Sequence, residues 1–111
     1  SEQEIVEQNK LNIYPNPFQI SETGNRPFVT FEYKSDSNGE VTIFDFSMNK
    51  VDSFDCTQDH NITENIKCNW FGENLNGIMV ANGVYFCRLK TEKSEVWGKV
   101  MVINLSGGYY E

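Results

Sequence analysis

The sequence predicts an all-β protein, a sandwich of two packed antiparallel sheets with about seven strands. Short stretches in which apolar and polar residues alternate recur along the 111 residues, at spacings near the ~8–12 residues typical of sandwiches. No stretch has a convincing helical periodicity. Aromatic residues make up 14% of the chain, too many for a disordered segment. The length fits one domain.

The first strand is predicted in LNIYPNPF, residues 11–18. Pro15 and Pro17 cannot donate a hydrogen bond to a sheet, so this strand should lie at an edge or end there. PFVTFEYKS follows, and its uniformly apolar face is expected to be the core face. That face consists of Val29, Phe31 and Tyr33.

Asn38-Gly39 is typical of a type I′ hairpin turn and leads into EVTIFDF, residues 40–46. In that run Thr42, Phe44 and Phe46 share one face. SMNK then turns the chain into a short strand, VDSFDC.

ENIKCNW, residues 64–70, is a strand that places Ile66, Cys68 and Trp70 on one face. Core packing is the expected role of Trp70, because its neighbours on that face are apolar.

The last third predicts a hairpin of two long strands, GVYFCRL and VWGKVMVIN, joined by a TEKSE turn. Val96, Trp97 and Val100 also fit helical spacing, but the β-branched residues up to Ile103 favour a strand. Trp97 shares its face with Lys99, so it is the better candidate for an exposed aromatic. The strand pattern predicts an immunoglobulin-like topology.

Charge and composition exclude several functions. The net charge of −7 repels phosphate backbones, so nucleic acid is not an expected partner. No apolar run reaches the roughly 20 residues that span a bilayer, so membrane insertion is not expected. SEQEIVEQNK, residues 1–10, has a linker's composition, residues 11–104 form the sandwich, and 105–111 form a tail. Ser1 is interpreted as a processing or cloning boundary.

The three cysteines, Cys56, Cys68 and Cys87, form no CxxC motif. Each lies in a β-favouring stretch, where a free cysteine usually acts as a small buried hydrophobe. Buried thiols are therefore the expectation. A Cys68–Cys87 bridge between neighbouring strands is the alternative that the spacing leaves open.

No residue pattern predicts catalysis, a cofactor or a metal. His60 is the sole histidine, and no serine or cysteine nucleophile has an obvious partner near it, so a solvated side chain is expected. Asp36, Asn38 and Glu40 alternate as calcium ligands do, but the distal bidentate glutamate of an EF-hand loop is missing. Turn chemistry explains these residues better. An enzyme is therefore not expected.

Glu73, Asn74 and Asn76 raise the same question of a polar or cation-binding loop, and turn chemistry again is the favoured interpretation. A glycan site would need several exposed coplanar aromatics. The available side chains are Tyr14, Trp97, Tyr109 and Tyr110.

Three motifs in order resemble a known family. They are LNIYPNPF, EVTIFDFSMNKV, and NWFGENLNGIMVANGVYFCRLK followed by KVMVIN. The chain resembles, over roughly residues 11–104, the immunoglobulin-like domain of the flagellar hook-capping protein and the C-terminal sorting domain of type IX (Por) secretion cargo. Phe71 and Asn49 stand where the family usually has Asp and Gly. LSGGYYE extends beyond the point where sorting domains usually stop.

The resemblance implies a non-catalytic sorting or attachment domain of an exported bacterial protein, located in the periplasm, at the cell surface or outside the cell. The fold signature it implies comprises Tyr14, Pro15, Pro17, Trp70, Gly72, Gly77, Gly83 and Tyr85. Protein partners, secretion machinery or neighbouring subunits, are expected at Lys99, Val100, Val102, Tyr109 and Tyr110. The alternatives are an accessory subunit of an extracytoplasmic assembly, which the aromatic tail favours, or a glycan-binding module.

Overall fold

The computed structural model describes residues 10–20, 26–58 and 65–104, and these form eight β-strands. The strands are β1 (Asn12–Tyr14), β2 (Phe18–Ile20), β3 (Val29–Lys34), β4 (Gly39–Phe44), β5 (Lys50–Gln58), β6 (Asn65–Trp70), β7 (Gly83–Thr91) and β8 (Glu95–Asn104). Residues 1–9 of the predicted linker, His60 and Tyr109–Tyr110 lie outside the described residues. No described segment forms a helix long and apolar enough to cross a bilayer.

Hydrogen bonding places the strands in the order β1-β3-β6-β5-β4-β7-β8-β2. One layer contains β1, β3 and β6, and the other contains β4, β7, β8 and β2. β5 belongs to both: most of it pairs with β4, and its last residues, Thr57 and Gln58, pair with β6. The all-β, sandwich-like fold is therefore confirmed, and its two layers are continuous through β5.

The core lies between the two layers. The predicted core face of β3 is confirmed, because Val29, Phe31 and Tyr33 are buried. Ile66 and Trp70 of β6 are buried opposite them, as predicted. The other layer contributes its own inward residues, namely Val41, Ile43, Tyr85, Cys87, Leu89, Val100 and Val102.

The start of the fold contains an additional strand. β1 ends before Pro15, as predicted, and the chain then crosses to the other layer, where β2 pairs with β8. This pairing is parallel, so the prediction of purely antiparallel sheets is wrong at this edge. Three residues, FQI, are too short for an alternation pattern to show, but Phe18 and Ile20 are buried.

The connection from β3 to β4 is not the predicted hairpin. β3 pairs with β1 and β6, whereas β4 pairs with β5 and β7, so Asn38 ends a crossing between layers and Gly39 begins β4. Gly39 has a packing reason instead, because a Cβ there would lie 2.7 Å from the Lys90 carbonyl oxygen. The Asn38 side-chain oxygen accepts a hydrogen bond from the Gln58 backbone N–H at 3.0 Å.

The expectation of three buried thiols is wrong for two of the cysteines. Cys56 and Cys68 form a disulfide, with their Cα atoms 4.9 Å apart. Thr57 pairs with Lys67, so one step back along the antiparallel register places Cys56 opposite Cys68. Cys87 is free and buried, so the alternative Cys68–Cys87 bridge is also wrong.

Candidate functional site

Trp70 anchors the long connection from β6 to β7, residues 71–82. The ring is buried, with centroids 6.3 Å from Phe18 and 5.8 Å from Tyr85. Its Nε1 donates a hydrogen bond to the Glu73 carbonyl oxygen at 2.9 Å. The indole therefore both fills the core and satisfies a backbone acceptor of the connection that follows it.

Asn74 organises the middle of this connection. Its side-chain oxygen accepts hydrogen bonds from the backbone N–H groups of Asn76 and Ile78 at 2.9 and 3.0 Å. Gly77 adopts a φ of 78°, a conformation natural to glycine. The Leu75 N–H donates to the Val51 carbonyl at 2.9 Å. These contacts are those of a structural turn, which is the interpretation that the sequence favoured.

Gly72 is a point of contact between this connection and β2. Its φ is 75°, and a Cβ atom there would lie 2.5 Å from Cδ1 of Ile20 and 3.2 Å from Cε2 of Phe18. The Val80 N–H donates to the Gly72 carbonyl at 2.9 Å. A side chain at this position would displace β2 from the layer it joins.

The end of the connection is tied to β8 through two asparagines. The Asn82 side-chain oxygen accepts from the Asn104 backbone N–H. The buried Asn104 side chain donates to the Val80 carbonyl. The hydroxyl of Tyr85 donates to the Ala81 carbonyl at 2.7 Å, a tie to the backbone upstream like that of the tyrosine corner in β-sandwiches. Gly83 begins β7 between these ties.

The YPNPF segment holds β8 from the other side. The Asn16 side chain, between Pro15 and Pro17, donates to the Lys99 carbonyl at 3.0 Å and accepts from the Met101 N–H at 3.1 Å. These bonds take the place of a neighbouring strand where β2 does not reach. The exposed Tyr14 hydroxyl donates to Glu32 at 2.7 Å.

The predicted partner-binding residues of β8 point in different directions. Lys99 is exposed, whereas the side chains of Val100 and Val102 are 0% and 1% exposed and lie in the core. Side-chain contact with a partner in this strand can therefore come only from the alternate residues, of which Trp97 and Met101 are 45% and 43% exposed. Tyr109 and Tyr110 lie outside the described residues.

A cluster of exposed and half-buried side chains, which the sequence reasoning missed as a group, covers the outer surface of β4, β7 and β8. We call it the aromatic face, and it consists of Phe44, Phe46, Phe86, Arg88, Trp97 and Met101. Phe44 stacks on Trp97 with centroids 5.6 Å apart, and Phe46 stacks on Phe86 at 6.0 Å. The Arg88 guanidinium carbon lies 5.3 Å from the Phe44 ring centroid and 5.8 Å from that of Trp97.

The register explains how the aromatic face assembles. β7 lies between β4 and β8, with Phe44 opposite Phe86 and Arg88 opposite Trp97. Exposed Trp97 was predicted, and its exposure is confirmed. That Phe44 and Phe46 share one face was also predicted, but whether it was the outer face and which strand lay beside β4 were not.

The side-chain oxygens of Asp36, Asn38 and Glu40, which alternate as calcium ligands do, have separate partners. Asp36 approaches Lys93 at 3.5 Å, Glu40 accepts from the Ser53 hydroxyl at 3.0 Å, and Asn38 bonds the backbone of β5. Within the described residues there is no group of three or more His, Cys, Asp or Glu side chains suited to a metal.

Burial raises the pKa of the Cys87 thiol to about 12. The free thiol is therefore protonated at neutral pH, and since the thiolate is the nucleophile, it is unreactive there.

The fold has relatives among solved structures. PorZ from Porphyromonas gingivalis, described as an essential bacterial surface component of the type-IX secretion system, superposes with a TM-score of 0.61 at 20% identity. Dimeric latent PorU from the same organism superposes with a TM-score of 0.57 at 24% identity. These likenesses show a shared fold. No family model and no curated protein matches the sequence.

The two matches are much longer proteins. The similarity covers 87% of this chain but 12% of PorZ, and 85% of this chain but 9% of PorU. The chain thus corresponds in each to one small β-module of a large polypeptide.

Proposed function

We propose that this chain is a non-catalytic sorting or attachment domain of an exported bacterial protein, recognised as a folded unit by secretion or surface-attachment machinery. The supporting observation is that the same β-module occurs as a small part of PorZ, a surface component of a type-IX secretion system. The motifs that resemble sorting domains point in the same direction. A folded β-module offers such machinery its strand edges and the outer faces of its sheets.

The ties around β8 suit a module that is read as a folded unit. Asn16, Asn82 and Asn104 hold both sides of the strand, and the disulfide joins β5 to β6. Disulfides persist in oxidising compartments outside the cytoplasm, which agrees with an extracytoplasmic location.

A fusion experiment tests the proposal. Residues 11–111 are joined to the C-terminus of a periplasmic reporter. The fusion is expressed in a type IX-competent strain and in an otherwise identical strain that lacks type IX secretion. Surface exposure of the reporter in the competent strain alone is the expected result. Retention of a stable, folded fusion in the periplasm of both strains would overturn the proposal.

A fusion carrying Trp70→Ala provides the matched control. This change removes the core anchor and its bond to the connection, and large-to-small changes at buried aromatics cost about 3–5 kcal/mol. If the machinery reads the folded unit, this fusion should not reach the surface, while a Leu75→Ser fusion should, because Leu75 is 62% exposed.

The second candidate is an accessory subunit of an extracytoplasmic assembly, favoured because PorZ is itself a component of the machinery. In that case the fusion should remain with the outer-membrane complex instead of being released or attached elsewhere. Comparing fusions that end at residue 104 and at residue 111 tests whether the aromatic tail contributes to that retention.

A further inference from the structure

The aromatic face has the composition of the centre of a protein interface. Trp, Phe, Met and Arg are enriched at such centres, and Trp and Arg dominate their binding energy. Here they lie together on one sheet surface, with Phe46 75% and Trp97 45% exposed. Contiguous exposed apolar patches rimmed by polar residues mark interaction sites on protein surfaces.

The most exposed member is held in place before any partner arrives. Phe46 lies in the β4–β5 turn, which Asp45 fixes by accepting hydrogen bonds from the backbone N–H groups of Ser47 and Asn49, each at 2.9 Å. The ring is further supported by its stacking on Phe86. An ordered hydrophobic side chain loses less conformational entropy on binding than a mobile one.

Arg88 indicates the charge of the partner. Its guanidinium forms no hydrogen bond or ion pair with the described residues, and the guanidinium Nε is buried without a hydrogen-bond partner there. Arg26 shows the contrast, because it stacks on Phe71 and also pairs with Glu73 at 3.0 Å. Lys99, opposite Phe86 on the same face, adds a second positive charge. A carboxylate from outside would complete this site.

Three other occupants fit less well. The ring faces of Phe44 and Trp97 are turned to each other, which leaves them poorly available to stack on sugars. An anionic membrane needs clusters of about four to eight basic residues, and the net charge of −7 opposes it. The same charge opposes association of two copies.

We propose that the aromatic face is the docking site for a protein partner whose contact segment combines apolar side chains with a carboxylate. The carboxylate pairs with the Arg88 guanidinium, and the apolar side chains pack on Phe46 and Trp97. This inference rests on the proposed function, since it names the surface by which the domain binds a protein.

A peptide selection tests the docking site. A phage-displayed library of random dodecamers is selected on the immobilised chain, and the enriched peptides are synthesised and titrated by calorimetry. The expected peptides combine Asp or Glu with aromatic or aliphatic residues. They should shift the NMR signals of the Trp97 indole and of Phe86, and they should bind Arg88→Gln and Phe46→Ser variants at least tenfold more weakly.

Matched variants separate this site from general effects on the fold. Arg26→Gln removes the other stacked arginine and Leu75→Ser another exposed apolar side chain, and each should change affinity less than twofold. Thermal melting checks that all four variants are folded. A failure to enrich peptides, enrichment without acidic residues, or binding that Arg88→Gln leaves intact would overturn the proposal.

Parallel assays identify other occupants. Co-sedimentation with phosphatidylglycerol vesicles, binding to a polysaccharide array, or dimerisation in analytical ultracentrifugation would each overturn the protein-partner assignment if Phe46→Ser abolished it. The export experiment and the peptide experiment can fail separately, so their results distinguish the two proposals. If Phe46→Ser and Arg88→Gln lose the peptides while the wild-type fusion still fails to be exported, the docking site stands and the sorting function does not.

Discussion

Replacing Gly72 by alanine should destabilise the domain far more than replacing Gly77, although the two glycines have φ angles of 75° and 78°. A non-glycine residue in this left-handed region costs about 1–2 kcal/mol at either position. At Gly72 the new Cβ would also meet Cδ1 of Ile20 at 2.5 Å, and overpacking of this kind costs about 1–3 kcal/mol. At Gly77 nothing lies within 4 Å.

Urea denaturation of both variants measures the difference. Gly72→Ala should lose about 2–5 kcal/mol of unfolding free energy, whereas Gly77→Ala should lose about 1–2 kcal/mol. The m-value should be unchanged if both variants remain two-state. Equal losses for the two glycines would refute the packing argument.

A double mutant tests the contact itself. Ile20→Val removes Cδ1 and alone should cost about 0.5–1.5 kcal/mol. Introduced into the Gly72→Ala variant, Ile20→Val should cost less than it costs in the wild-type protein, or should even stabilise the variant, because the clashing atom is gone. Strictly additive losses would mean that the alanine acts without touching Ile20.

Three further predictions concern the covalent and polar ties. Reducing the Cys56–Cys68 disulfide should lower stability by about 3 kcal/mol through loop entropy, and an unchanged melting temperature with and without reductant would contradict this. Because burial raises the pKa of Cys87 from 9.0 to about 12, stability is fully present below pH 9 and falls as the pH rises towards 12; Cys87→Val should fall less steeply in alkaline denaturation. Tyr85→Phe removes the hydroxyl bonded to the Ala81 carbonyl and should cost about 1 kcal/mol, measured against wild type in urea; no loss would show that the tie is dispensable.

The sequence predicted the parts of the fold that depend on local alternation. The core face of β3, the final hairpin and the exposed Trp97 needed only the period-two pattern and the turn between the strands. The edge strand was predictable because Pro15 cannot donate a hydrogen bond to a sheet.

What the sequence did not predict depends on which strands become neighbours. Asn38-Gly39 looks like a hairpin turn, yet the strands around it lie in different layers. The partner of Cys56 follows from the register of β5 on β6 across a loop that carries no hydrophobic pattern. Pairing between strands distant in sequence is set by packing of the whole domain, and local residue preferences do not encode it.

The aromatic face could be predicted only in part for the same reason. Phe44 and Trp97 are 53 positions apart in the numbering, and they stack because β7 brings both of their strands to its two sides. The fold signature and the aromatic face are therefore different kinds of feature. Trp70, Gly72 and Asn74 shape the connection between β6 and β7 in this chain, whereas Phe46 and Arg88 fill no space that the core requires. A polar side chain at Phe46 should leave the fold intact and remove the binding, and this separation makes the aromatic face a functional proposal distinct from the fold.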